Sequence, residues 1–214
     1  LHQNIKKAFQ DEFLTPSGRL SPHSQTAYTL ALAFDLVPED QRKNAVNYLV
    51  KDITARGFHL STGFLGTPHL CQVLSENGYE DVAYKLLFQD SYPSWLYPVT
   101  RGATTIWERW DGIKPDSTFQ TTRMNSFNHY AYGAIGDWMY RVVAGIEVDA
   151  ENPGYKHILI QPHPTKDLDY AKANFSSIHG NIASEWRWDG NQISLNVVIP
   201  PNTTATVQLP GAKI

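Results

Sequence analysis

The stretch Ile182-Ala183-Ser184-Glu185-Trp186-Arg187-Trp188-Asp189-Gly190-Asn191-Gln192-Ile193-Ser194-Leu195-Asn196-Val197-Val198-Ile199 decides how this chain divides. Ile182, Ser184, Trp186 and Trp188 occupy alternate positions before the turn Asp189-Gly190-Asn191. Ile193, Leu195, Val197 and Ile199 alternate after it. A period of two on both sides of an Asp-Gly turn signals a β-hairpin. It predicts Ile193, Leu195, Val197 and Ile199 facing inward, with Ser194, Asn196 and Val198 outward. His157-Ile158-Leu159-Ile160 is a further short apolar run, and Ala205, Val207 and Leu209 give one more strand after Pro200-Pro201. Residues 148–214 are therefore expected to form an all-β module, a small antiparallel β-sandwich. Its boundary lies near the turn Asn152-Pro153-Gly154, and its role is structural, sealing the open end of a helical domain.

Upstream of that boundary the period changes to that of a helix. Leu1, Ile5, Phe9 and Phe13 recur on one helical face. A second helix is expected from about Ser24, with Ala27, Leu30, Ala31 and Phe34 as its stripe, and a third opens at Glu39-Asp40, where carboxylates favour the positive helix end. The third carries Val46, Leu49, Val50 and Ile53 and stops at Gly57. Thr67-Pro68 looks like an N-cap followed by Pro at the first helical position, before Leu70, Cys71 and Leu74. A shorter helix holds Val82, Ala83, Leu86 and Leu87. Ala131, Ile135, Trp138, Met139 and Val142 form a last stripe closed by Gly145. Residues 1–147 thus read as antiparallel helix pairs joined by short turns, an αα-hairpin array.

Composition narrows the function classes. The 214 residues carry 18 Lys+Arg against 21 Asp+Glu, a formal net charge of −3, with 42% hydrophobic residues. Such a chain has too much apolar content for disorder as its main state. With a pI near 6.2 and no long basic run it lacks a nucleic-acid footprint. No apolar run approaches the roughly 18–20 residues that a membrane span needs. Cys71 is the single cysteine, which excludes an intrachain disulfide or a Cys-based zinc site; on its apolar stripe it reads as a small buried hydrophobe. The start, Leu1-His2-Gln3-Asn4-Ile5-Lys6-Lys7, is amphipathic, lacks a signal-peptide h-region and lacks Met. A processed or truncated chain is expected.

Chemistry concentrates in the irregular segment 91–124. Six Trp, eleven Tyr and nine Phe make 12% of the chain, and Trp95, Trp107 and Trp110 fall inside this one loop. A loop of that length in a compact domain is functional or disordered, and the tryptophans speak against disorder. Aromatic faces stack on sugars as well as on a core. In Ile106-Trp107-Glu108-Arg109-Trp110, an extended backbone would turn Ile106, Glu108 and Trp110 to one side and Trp107 and Arg109 to the other. Glu108 set among aromatic rings loses hydration and becomes a better base; alternatively, Arg109 neutralises it in an ion pair. His129 opens the last helix and shares a face with Tyr132, Gly133, Gly136 and Tyr140, room for a ligand or for a neighbouring helix. Asp137 reads as a structural acceptor. The glycosylation sequons at Asn174 and Asn202 carry little weight.

Ser61-Thr62-Gly63-Phe64-Leu65-Gly66-Thr67, Tyr92-Pro93-Ser94-Trp95, Gly102-Ala103-Thr104-Thr105-Ile106-Trp107-Glu108-Arg109-Trp110 and His129-Tyr130-Ala131-Tyr132-Gly133-Ala134-Ile135-Gly136-Asp137-Trp138 occur in this order. Over these motifs the chain resembles the α-L-rhamnosidases of glycoside hydrolase family 78. The resemblance implies an (α/α)₆ catalytic barrel, of which this chain would hold only part, followed by a C-terminal β domain. It implies inverting hydrolysis of rhamnose-containing glycosides or polysaccharides, with no metal or organic cofactor. Glu108 would match the general base, His129 a contact to the rhamnose ring, and Trp107, Trp110 and Trp95 the lining. The family's acidic segment with Asp-Glu-Arg and Gly-Trp, which carries the general acid, does not occur here. The chain is thus expected to be the C-terminal part of a longer enzyme, inactive alone and partnered by the remainder of that enzyme. Two other readings stand beside it: a non-catalytic carbohydrate-binding or scaffolding piece, and an (α/α)₆ glycosidase for another deoxy-sugar. A second carboxylate facing Glu108 discriminates them, with Asp111, Asp116 and Asp137 as the nearby candidates.

Overall fold

The computed structural model describes residues 1–209. The chain folds as two compact units, Leu1–Ile135 and Gly136–Ile214. In the first, α1 (His2–Phe13), α2 (Gln25–Ala33), α3 (Glu39–Ala55), α4 (Thr67–Glu76), α5 (Glu80–Phe88) and the short α6 (Leu96–Thr100) follow in order. α2 packs on α3 and α4, and α4 on α5, as the hairpin pattern requires. The Ser24 hydroxyl accepts from the Ala27 N–H and caps α2, a bond worth about 1 kcal/mol. Burial of Leu32, Leu49, Ile53, Leu70, Leu74 and Leu86 forms the core, each contributing about 1.5–3 kcal/mol relative to exposure.

Both α3 and α4 end in the same way. Gly57 and Gly78 take positive φ, and the next N–H groups, of Phe58 and Tyr79, donate back to Ile53 O and Leu74 O at 2.9 Å. That bond satisfies a carbonyl the helix end would otherwise leave bare. Two expectations need correction here. Thr67 is not an N-cap but lies inside the first turn of α4, after Gly66, and its hydroxyl is engaged by Thr62 and Gly63 O. The α1 stripe does not enter the core: no α1 residue is buried, and Ile5 is 57% exposed.

The last helical stretch also departs from a plain α-helix. It is a 3₁₀ turn (Ala131–Ala134), an α turn (Ile135–Trp138) and a π turn (Met139–Val143) in succession. The changing pitch rotates Met139 out of the predicted stripe to 43% exposure, while Trp138 and Val142 stay buried.

In the second unit β1 (Ile146–Val148), β2 (His157–Ile160), β3 (Tyr170–Ser177), β4 (Gly180–Asp189), β5 (Gln192–Val198) and β6 (Thr204–Val207) form two three-stranded sheets, β1-β2-β6 and β3-β4-β5. Ile146 and Glu147, placed by the sequence in the helical part, lie in β1 and pair with Ile160 and Leu159. The β4–β5 hairpin turns through Gly190-Asn191, with Asp189 opposite Gln192. Ile182 and Trp186 are buried, and Leu195 and Val197 pack against the core cluster formed by Ala144, Ile146, Ile158, Ile160, Ala173 and Ile182. Ser184 occupies an inward position because its hydroxyl donates to Ala144 O, while the Trp186 indole donates to Val143 O, both at 2.6 Å.

Two further corrections apply to this unit. The module is not wholly antiparallel, since β6 pairs with β2 in parallel. Parallel neighbours need a long crossover, and the β3-β4-β5 sheet serves as that crossover. Ile199 falls beyond β5 just before Pro200 and is 36% exposed rather than inward.

Candidate active site

The segment around Glu108 is held by its own loop rather than by a sheet. Glu108 N–H donates to Ser126 O at 2.9 Å, and His129 N–H donates to Ile106 O at 2.8 Å. The Thr105 hydroxyl donates to Phe127 O. These bonds lay residues 105–108 alongside 126–129 and bring Glu108 and His129, far apart in sequence, onto adjacent segments of one loop. The Ser126 N–H in turn donates to Glu108 Oε2 at 2.8 Å. Among the described residues no donor engages Oε1.

Glu108 opens into a cleft of about 340 Å³ whose wall includes Phe64, Tyr92, Arg109, Trp110, Asp111 and Tyr132. Arg109 does not pair with Glu108. Its Nε lies 3.3 Å from Asp111 Oδ1, and Gln120 donates to the other Asp111 oxygen. The ion-pair alternative is therefore satisfied by Asp111. Burial, with the nearby Asp111 charge, raises the pKa of the Tyr92 and Tyr132 phenols while Arg109 opposes it. Both hydroxyls stay neutral at physiological pH and can act as hydrogen-bond donors.

Trp110 is the wall of this cleft. Its ring stacks on Tyr132 with centroids 3.6 Å apart and 11° between planes. Its indole donates to Thr62 O at 3.1 Å, and Trp95 meets it edge-on. Trp95 and Trp107 themselves are only 8% and 5% exposed. They lie behind Trp110 around a small cavity of about 40 Å³, Trp95 bonded to Tyr132 O and Trp107 edge-on to Phe127. Of the three tryptophans, Trp110 alone borders the Glu108 cleft.

His129 borders an adjoining open hollow of about 770 Å³, which shares Phe64 with the cleft. Its Nδ1 accepts from the Ala131 N–H at 3.2 Å. The neutral ring therefore carries its proton on Nε2 and presents a donor there. Phe64 at 4.9 Å and Tyr130 at 5.1 Å both stack on it with nearly parallel planes. Phe64 sits on the turn Gly63-Phe64-Leu65-Gly66. At Gly66 a Cβ would meet the Thr26 hydroxyl and the Thr62 methyl at 3.0 Å, so a side chain there would press on α2.

Residues 1–143 match the family described as the bacterial alpha-L-rhamnosidase 6 hairpin glycosidase domain, and residues 145–213 match the bacterial alpha-L-rhamnosidase C-terminal domain. The chain belongs to the bacterial α-L-rhamnosidase family. An α-L-rhamnosidase of Streptomyces avermitilis is 48% identical over 211 residues, 99% of this chain and 20% of the relative. One from Formosa agariphila is 46% identical over 212 residues, covering 98% and 23%. The crystal structure of the Streptomyces avermitilis enzyme complexed with L-rhamnose superposes with a TM-score of 0.93 at 48% identity over 96% of this chain and 20% of that one. The native Aspergillus terreus α-L-rhamnosidase does so with 0.94 at 38% identity, over 99% and 24%. The chain thus spans about a fifth of the curated α-L-rhamnosidases it matches.

Asp111 and Tyr132, both singled out in the sequence, border the cleft, whereas reading the residues singly did not find Phe64, Tyr92 and Met124, which border it too. Phe64 and Tyr92 do lie inside the rhamnosidase motifs, which is the signal that pointed to them. Met124 lies outside those motifs, and only its place in the cleft reveals it. Among the described residues no group of three or more His, Cys, Asp or Glu is placed to hold a metal ion.

Proposed function

We propose that this chain supplies the general-base side of an inverting α-L-rhamnosidase active site, within part of an (α/α)₆ barrel. The observation that carries the reading is Glu108 itself. One carboxylate oxygen is tied to the Ser126 N–H, the other has no donor among the described residues, and the residue lines an aromatic-walled cleft. In inversion a base takes a proton from water as that water attacks the anomeric carbon. An acid on the opposite face protonates the departing oxygen, about 6.5–9.5 Å from the base. Glu108 Oε1 would receive the water's proton. The His129 Nε2–H would donate to a ring hydroxyl of rhamnose, and Trp110 would offer its face to the sugar. Trp95 and Trp107 support Trp110 from behind.

Asp111, Asp116 and Asp137 do not serve as the acid. Asp111 already accepts from Arg109 and Gln120. Asp116 is held ionised, its pKa lowered by bonds from the Thr118 hydroxyl and N–H. Asp137 pairs with Arg141. The acid is therefore assigned to the remainder of the enzyme, whose relatives are about five times longer than this chain.

The test is Glu108→Ala in the complete enzyme that carries this chain, assayed with and without azide. Turnover should fall about 10²–10⁴-fold, the usual contribution of a positioned base. Azide, which needs no base, should restore it and give a glycosyl azide of inverted configuration. Near-normal turnover of the variant would overturn the assignment.

A further inference from the structure

We infer that Phe64 is a positioning residue for the rhamnosidase reaction, holding the His129 imidazole in register with the cleft of Glu108. The inference rests on the function proposed above and adds to it a residue with no chemistry of its own. Phe64 is the wall shared by the Glu108 cleft and the His129 hollow. Its ring lies 4.9 Å from that of His129 with 11° between planes, and 5.3 Å from Tyr132. Tyr132 is stacked on Trp110. One continuous run of rings therefore joins His129 to the wall beside Glu108.

The imidazole needs such a restraint. Among the described residues its one hydrogen bond, from the Ala131 N–H to Nδ1, fixes one atom but leaves the ring free to tip about it. Tipping would swing the Nε2–H away from a bound hydroxyl, and a misplacement of about 1 Å can cost 10²-fold in rate. A face-to-face neighbour removes that freedom. Tyr130, which also stacks on the imidazole, is 86% exposed and meets no second ring among the described residues, so it has nothing to brace against. Phe64 is braced by Tyr132. At 42% exposure Phe64 is also not a core residue whose loss would be expected to unfold the domain.

A double-mutant cycle in the complete enzyme tests this, using Phe64→Leu, Phe64→Tyr, His129→Ala and the combination of Phe64→Leu with His129→Ala. Phe64→Leu should raise KM for an aryl α-L-rhamnoside and lower kcat/KM about 3–10-fold, the range of an aromatic pair. Phe64→Tyr keeps the ring face and should return kcat/KM to within about twofold. In the His129→Ala background Phe64→Leu should cost nothing further, because residues acting as one unit are not additive. If Phe64→Leu keeps its full cost in that background, or has none in the native one, the inference is overturned. If instead His129→Ala is itself silent, the failure lies in the proposed role of His129. Should Phe64→Leu not accumulate as folded protein, Phe64→Met takes its place in the same cycle.

Discussion

Glu108 and Ser126 hold each other by two hydrogen bonds, the Glu108 N–H donating to Ser126 O at 2.9 Å and the Ser126 N–H to Glu108 Oε2 at 2.8 Å. Backbone and side chain of one residue are thus anchored to the two backbone groups of another, so the carboxylate cannot rotate without breaking a bond. That geometry leaves one oxygen for water. Glu108→Asp should then be informative beyond simple removal, because the shorter side chain cannot reach Ser126 N–H and the water position together. In the complete enzyme kcat should fall about 10²-fold, as for a 1 Å misplacement, with KM little changed. Steady-state kinetics with an aryl rhamnoside decides it, and an equal loss in KM would point to ground-state binding instead.

His129→Ala should weaken binding and rate together. Loss of one hydrogen bond to a sugar hydroxyl costs about 1–3 kcal/mol when the partner is left unpaired. Calorimetric titration of the complete enzyme with L-rhamnose should show that loss, and unchanged affinity would remove His129 from the site.

The purified 214-residue chain should not hydrolyse an unactivated α-L-rhamnoside. Only the base side of the reaction is assigned to it, and without an acid the leaving group must depart as a poor alkoxide. Leu1, just before α1, and Ile5 and Phe13 within it also face solvent, an apolar surface that favours association. Glu108-dependent turnover by this chain would show that one of its own carboxylates acts as the acid.

Gly145 is fixed by space as well as by conformation. Its φ is +79°, and a Cβ would stand 2.1 Å from the Pro162 nitrogen. Gly145→Ala should lower stability by on the order of 3 kcal/mol. Gly136 meets nothing within 4 Å and has no positive φ, so Gly136→Ala should be neutral or stabilise by up to about 1 kcal/mol. Thermal unfolding of the two variants side by side checks the contrast.

Acid should destabilise the second unit through Asp149, whose carboxyl is held below its ordinary pKa first by the Asn152 side chain and then by the Glu151 N–H. A depressed carboxyl contributes stability above its unfolded value, about 3.9, and loses it as pH falls through the lower folded value. Asp149→Asn should therefore flatten the decline in melting temperature below about pH 4; an unchanged profile would assign that decline to other groups.

Local patterns were enough for much of the architecture. The stripes Val46-Leu49-Ile53 and Leu70-Cys71-Leu74, with stops at Gly57 and Gly78, specify α3 and α4, because an apolar face at period 3.6 has one favourable burial and a glycine in left-handed conformation ends it. The Asp189-Gly190-Asn191 turn and its flanking alternation specify the β4–β5 hairpin for the same kind of reason: both elements close within their own residues. The rhamnosidase motifs, all local runs of sequence, carry the family's signature by themselves.

Relations between distant residues could not be read that way. Nothing local says that residues 105–108 lie against 126–129, that Arg109 turns to Asp111, or that Trp95 and Trp107 stand behind Trp110. Each depends on which partner a group finds once an irregular loop has folded back on itself, and such pairing has no period to betray it. The parallel β2–β6 pair has the same origin, since its direction follows from the path of the whole intervening sheet. The α1 stripe is the converse case. Its periodicity specifies a helix, but an apolar face is buried only where another surface covers it, and within residues 1–209 none covers Leu1, Ile5 or Phe13.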